Sequence, residues 1–229
     1  MSFSLKSCLG SLAAVLLLSG CLDYEEEMTI KENLSGEARI TLTLPDSLVG
    51  KFSEVQGQVT AAKIKEHLDK VSGVRLLSHE LRQGRQPVVK MVLSFDSLEA
   101  WNEAVALHPQ AVVLAGKFTK EKTEKGMVIE RQLGGGMALP NGLPDFNFVN
   151  YTTKYASPIV ATNSRQLNAH GNEVRYRYQL SELMQQQPMM STTVEHHLPW
   201  LMLVAGSVAA LAVLWKVWGM VKPKSKRKG

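Results

Sequence analysis

The tetrad Leu18-Ser19-Gly20-Cys21 is the place where residue types and spacing point to definite chemistry. It closes an apolar run, Leu9 to Leu18, that follows the single cation Lys6. Such a run is too short to span a hydrocarbon layer of about 30 Å, but it has signal-peptide length. Small residues at 19 and 20 let the chain enter a narrow protease site. Cleavage before Cys21 would then free a terminal residue whose thiol can carry a lipid. The chain has one other cysteine, Cys8, inside the segment that would be removed. With Cys21 lipidated, the mature chain has no free thiol, no disulfide and no Cys-based metal site.

This arrangement fits the cleavage box of a bacterial lipoprotein. Other chemistry is hard to find. The six histidines are His67, His79, His108, His170, His196 and His197, and no HxxxH or HExxH spacing occurs. His196-His197 reads as interfacial polar residues. There is no Gly-x-Ser-x-Gly elbow, phosphate loop or dinucleotide fingerprint. Gly134-Gly135-Gly136 lacks the Lys and Ser/Thr of a phosphate loop and reads as a flexible turn. Glu25-Glu26-Glu27 lies on an alternating strand, so its carboxylates do not converge on a cation, and it reads as a solvated spacer beside the lipid. The chain therefore reads as non-enzymatic, with no cofactor and no metal.

A second tether is expected at the other end. Leu198 to Trp215 is uncharged, with tryptophans near both ends, and at 1.5 Å per residue it is long enough to cross a bilayer. Lys222, Lys224, Lys226, Arg227 and Lys228 follow, and the positive-inside rule places them in the cytoplasm. The part between the tethers then lies on the exported face of the bacterial cytoplasmic membrane. These five cations, with Lys6 and Lys216, also explain most of the +5 net charge. Subtracting the seven from 26 Lys and Arg leaves 19 against 21 Asp and Glu, so the middle carries about −2. A nucleic-acid partner has no support from that field.

The expected organisation is a signal peptide over 1–20, an exported ectodomain over 21–183, a polar stalk over 184–197, a transmembrane helix over 198–221 and a basic tail over 222–229. Within the ectodomain, Met28 and Ile30 and then Ile40, Leu42 and Leu44 alternate as a strand hairpin. Asp46 caps a helix with apolar positions from Leu48 to Val71, ended by Gly73. Val74 to Leu81 and Val88 to Phe95 form a second hairpin. Ser97 caps a helix bearing Leu98, Trp101 and Val105, which ends at His108-Pro109. Ala111 to Phe118 is the next strand. The order βαββαβ predicts an α+β fold: an antiparallel sheet with two helices packed on one face, a ferredoxin-like core. Extra hairpin strands follow at Met127 to Leu133, Phe146 to Tyr151, Ser157 to Thr162 and Val174 to Leu180.

The aromatic stretch is the candidate binding site. Phe146, Phe148, Tyr151 and Tyr155 follow two prolines and a glycine-rich loop, where aromatic rings line apolar pockets or enter a lipid surface. A strand burying alternate aromatics is the competing reading. Arg175 and Arg177 read as a solvated sheet face.

Taken together, Cys21 followed at once by the hairpin Leu22 to Leu44, the stretch Ser157-Pro158-Ile159-Val160-Ala161-Thr162-Asn163, the turn Gly171-Asn172, the strand Val174 to Leu180 and the apolar C-terminal segment with its basic tail resemble LppM-type envelope lipoproteins. The chain departs from that pattern at Tyr176 and Tyr178, where a Trp is expected. The resemblance implies a membrane-tethered α+β ectodomain that binds an envelope lipid or glycolipid. The competing function is a scaffold or assembly partner of an inner-membrane protein complex. Either way, membrane lipids are partners through Cys21 and the C-terminal segment.

Overall fold

The computed structural model describes residues 23–43, 60–84, 86–107, 114–134, 148–167 and 171–195. All of them fall in the first of two compact units, Met1–Glu195, the second being His196–Gly229. The order of elements is β1 (Asp23–Ile30), β2 (Gly36–Thr43), α1 (Ala61–Leu68), β3 (Val74–Arg82), β4 (Val88–Phe95), α2 (Leu98–Ala106), β5 (Lys117–Thr123) and β6 (Gly126–Gln132). Then come β7 (Phe148–Tyr155), β8 (Ile159–Thr162), β9 (Gln166–Leu167), β10 (Glu173–Gln179), α3 (Leu180–Gln186) and β11 (Met189–Val194).

The strands make two sheets. One has seven strands in the order β3-β4-β2-β1-β7-β10-β9, and the other has four in the order β5-β6-β11-β8. Among the described residues only the β1–β7 pair is parallel. Period-two patterning explains the layers. Tyr24, Glu26, Met28 and Ile30 of β1 are buried while their neighbours are exposed. On the facing sheet Phe118, Ile129, Arg131, Met190, Thr192 and Val194 are buried. The two inner faces contribute to one hydrophobic core.

This corrects the expected ferredoxin-like core. The order βαββαβ does occur along the chain from β2 to β5, but β5 never joins the sheet of β2. It pairs with β6 in the second sheet. The reason lies in its sequence. In Lys117-Phe118-Thr119-Lys120-Glu121-Lys122-Thr123, Phe118 is the one buried residue, so the strand suits an edge. The interior place beside β2 goes to β1 instead, which has an apolar row to bury. A second sheet, not a pair of helices, covers the large sheet.

Of the long helix expected from Asp46, the described part is α1, capped by the Thr60 side chain accepting from Lys63 N at 3.3 Å. Asp46 itself lies outside the described residues. The second expected helix is α2. Ser97 Oγ accepts from Ala100 N at 3.1 Å, and Leu98, Ala100, Trp101 and Val105 are buried. Burial of large apolar side chains such as these contributes roughly 1.5–3 kcal/mol each.

Of the polar stretch expected as a stalk over 184–197, the described part, 184–195, holds structure. α3 continues to Gln186, and β11 pairs with both β6 and β8 inside the small sheet. Its Ser-Thr-Thr run alternates, so Thr192 turns inward with Met190 and Val194 while Ser191 and Thr193 face out. Gly126, at φ +144°, lies so close to the Val194 carbonyl that no Cβ fits there. The expected transmembrane helix over 198–221 lies outside the described residues. Among the described residues no helix is long and apolar enough to cross a membrane.

The stretch Ser157 to Asn163 becomes β8 and its exit turn. The Tyr176 hydroxyl donates to Asn163 Oδ1 at 3.0 Å and lies 2.9 Å from Thr162 Oγ1. Asn163 Oδ1 also accepts from Ser191 N at 2.9 Å, and its amide donates to Met189 O at 2.7 Å. Tyr176 therefore ties the large sheet to the small one, a use for the phenol at the position where a Trp was expected.

Candidate functional site

Two constellations stand out, one inside and one on the rim. The inner one joins the sheets. Arg131 of β6 meets Glu26 of β1 through two parallel hydrogen bonds, Nη2 to Oε2 at 2.8 Å and Nη1 to Oε1, with both side chains about fully buried. The Tyr24 hydroxyl donates to Glu26 Oε2 at 2.7 Å. Arg131 Nε donates to Ala115 O at 2.8 Å. Its guanidinium also lies 5.0 Å from the Tyr151 ring centroid, 5.1 Å from that of Phe118 and 5.8 Å from that of Trp101. Every charge here has a partner, so the cluster is closed.

Electrostatics agree with a closed cluster. Burial works to lower the Arg131 guanidinium, but the adjacent Glu26 charge outweighs it and holds Arg131 above its usual range. Burial, reinforced by the Glu26 charge, raises the Tyr24 phenol well above its ordinary value. Burial likewise raises Tyr151 and Tyr155, and pushes Tyr178 up to about 12. The phenols of this cluster therefore keep their protons through neutral pH. One prediction follows from the sign. These phenols bind their protons more tightly folded than unfolded, so their stabilising contribution is complete below about pH 10 and falls as pH rises beyond it. The urea midpoint should therefore be lower at about pH 11 than at about pH 8. An unchanged midpoint would contradict the burial of these rings.

The rim constellation is smaller. Phe148 opens β7 on the outward face of the large sheet, opposite Gln179 of β10. Its ring is half-buried, and the exposed Arg177 stands over it, with the guanidinium carbon 3.7 Å from the ring centroid. A planar cation beside a partly open ring offers an anionic or hydroxylated group a donor and an apolar ledge together. A shallow polar hollow of about 120 Å³ lies further along the same face, against Glu27, Arg39 and Lys154. Its two cations already pair, Arg39 with Glu37 at 3.0 Å and Lys154 with Glu173 at 3.4 Å.

The expected site residues therefore separate. Phe148 is at the rim. Tyr151 and Tyr155 point inward and are 1 % and 7 % exposed, with the Tyr151 hydroxyl donating to Leu114 O at 2.7 Å. They alternate into the core, as the competing reading of this stretch held. Phe146 and Cys21 lie outside the described residues.

Arg177 was read as part of a solvated face, and it is solvated, but its stacking on Phe148 was not foreseen. Glu26 was read as part of a solvated spacer, and the structure corrects this. Only Glu25 and Glu27 face out. The signal was present: Glu26 interrupts the apolar row Tyr24, Met28, Ile30, and Arg131 interrupts the row Ile129, Leu133. Two opposite charges each set within an apolar row can meet in one core. His79 Nε2 is buried without a hydrogen-bond partner on β3, and no metal-binding group of His, Cys, Asp or Glu occurs among the described residues.

No protein-family model matches the chain, and no curated protein gives a significant match. Among solved structures, the chain is similar to the folded domain of LppM from Mycobacterium tuberculosis, determined by NMR. Identity is 10%, the TM-score is 0.50, and the likeness covers 79% of this chain and 93% of that one. At that identity the likeness speaks to architecture: the chain has an LppM-like fold.

Proposed function

We propose that this chain is a lipid-anchored envelope protein whose exported domain binds envelope lipid or glycolipid at its surface. The observation that carries this reading is the Phe148–Arg177 pair. Of the described candidate residues it holds the one aromatic ring that a ligand can reach, and it adds a donor for a phosphate or sugar hydroxyl. The cleavage box at Cys21 supports delivery to a membrane, and the fold shared with a domain named as LppM supports the same class. The inter-sheet space is filled by Tyr24, Glu26, Trp101, Phe118, Arg131 and Tyr151, which favours surface capture over an enclosed cavity. Membrane lipids are the partners, through Cys21 and through the C-terminal apolar segment.

Native mass spectrometry of the protein purified from envelope tests the reading. A lipid adduct is expected on the native chain and should fall at least about tenfold in abundance for Phe148→Ala, the loss of one anchor contact of about 1.4 kcal/mol. The melting temperature should change little, because the ring is at the rim. A chain with no adduct and no uptake of added envelope lipid would contradict the proposal. That outcome favours the scaffold reading, which the filled core also suits.

A further inference from the structure

The chain enters the described domain at one end of the strand axis and leaves it at the other. β1 begins at Asp23 and reaches Ile30, roughly 25 Å on at about 3.3 Å per residue. Residues 156–158 join β7 to β8 at the Ile30 end, where Ala156 N donates to Ile30 O at 3.0 Å. Val194 closes β11 opposite Ile159, and Glu195 N donates to Pro158 O at 2.8 Å, so β11 also finishes at the Ile30 end. Residues 1–22 precede the entry point and 196–229 follow the exit.

Both of these strands are interior ones. β1 lies between β2 and β7, and β11 between β6 and β8. β1 pairs with β2 along its whole length, from Asp23 with Thr43 to Ile30 with Gly36, and with β7 from Tyr24 onward. β11 pairs with β6 along its whole length, from Met189 with Gln132 to Val194 with Met127. In an antiparallel ladder the hydrogen bonds lie across the strands. A pull along the strand axis therefore loads all the bonds of a ladder together. A pull across the strands opens the ladder from one end, bond after bond. Force on β1 must also pass to the sheet of β11, and apolar burial is non-directional, so it resists sliding little. Directional bonds cross that gap. Glu26 of β1 holds Arg131 of β6 by two hydrogen bonds, and Arg131 is the register partner of Met190 in β11. The Tyr176 hydroxyl of β10 reaches Asn163 Oδ1 at 3.0 Å and Thr192 Oγ1 of β11 at 3.4 Å.

We infer that the domain is a tension-bearing link, built to carry force along its strands between the chain before Asp23 and the chain after Glu195. This role goes beyond lipid capture and stands without it, because it needs only the entry point, the exit point and the two ladders. Tension between the flanks reaches β1 and β11 first, and each has a ladder on both sides to take it. An edge strand such as β5, held by β6 alone, would meet the same force with one ladder.

Single-molecule force spectroscopy of the full-length protein in detergent micelles is the test. Cys8→Ser and Cys21→Ser leave only introduced thiols to carry the handles. Asp23→Cys with Glu195→Cys pulls along the strands. Asp23→Cys with Arg82→Cys pulls across them, since Arg82 lies level with Asp23 through Val88 and Thr43 in the same sheet. All three positions are exposed, so the handles disturb little packing. The two chains differ at one handle only, and forced unfolding follows the unfolding rate, so their lifetimes under load compare direction. At equal force the folded state should last at least about tenfold longer in the axial pull than in the transverse one. Equal lifetimes, or a shorter axial lifetime, overturn the inference. Should Arg82→Cys lower the urea midpoint, Glu80→Cys supplies the transverse pull from the same edge strand, with the same two outcomes.

Discussion

Replacing Arg131 by Ala is expected to destabilise the exported domain by roughly 3–5 kcal/mol, enough to leave many small domains largely unfolded. The mechanism is not loss of a favourable pair as such. Glu26 would remain ionised or take up a proton in a site 2 % exposed, with its two charge-assisted hydrogen bonds gone. Tyr24 would lose the charge balance of the carboxylate it donates to, and Ala115 O would lose its donor. The cavity left between Trp101, Phe118 and Tyr151 adds to the loss.

Removing both partners is a different experiment. Glu26→Leu with Arg131→Met fills the same space with apolar groups, and a buried ion pair exchanged in that way is often neutral or stabilising. The double variant should therefore recover most of what the single variant loses. Chemical unfolding of the single and double variants measures both. A single variant within about 0.5 kcal/mol of the parent would contradict the burial of this pair.

The second large effect is expected at Cys21. Cys21→Ser removes the sulfur that would carry the lipid, and it removes the residue before which the peptidase cuts. The variant chain should keep residues 1–20 and carry no lipid. The short apolar run Leu9 to Leu18 would then be the sole N-terminal attachment, too short to cross a bilayer of about 30 Å. Mass measurement of the variant's N-terminal peptide checks both, and a variant cut before residue 21 and still acylated would contradict lipidation at Cys21.

Much of the fold was legible locally, and the architecture was not. Strand alternation placed β1 and β2 without their starts, and the reading gave both strands of the β3–β4 hairpin, β6 and β10 to within about one residue. Ser97 was legible as a cap because its hydroxyl has a defined local partner in Ala100 N. Which sheet a strand joins is decided by non-local pairing, and the sequence of β5 carried the clue only in its lack of apolar residues. Met189–Val194 read as a stalk because Ser191, Thr192 and Thr193 suggest solvent. In the fold Thr192 is 2 % exposed against Ile129, and a hydroxyl satisfied inside a sheet leaves no trace in composition.

The candidate site was half legible. Phe148 was chosen for being aromatic beside a loop, and the same reasoning chose Tyr151 and Tyr155, which the pleat turns the other way. Arg177 lies 29 residues on from Phe148 and reaches it only through the β7–β10 pairing. The Glu26–Arg131 pair is separated by 105 residues, and no local pattern connects them.

The most direct test is the mass of the mature N-terminus. Protein extracted from bacterial membranes is digested, and the N-terminal peptide is sequenced and weighed. The account predicts a chain that begins at Cys21, with acyl mass on its sulfur. A chain that still begins at Met1, or that begins at Cys21 with a bare thiol, would contradict a lipid-anchored domain.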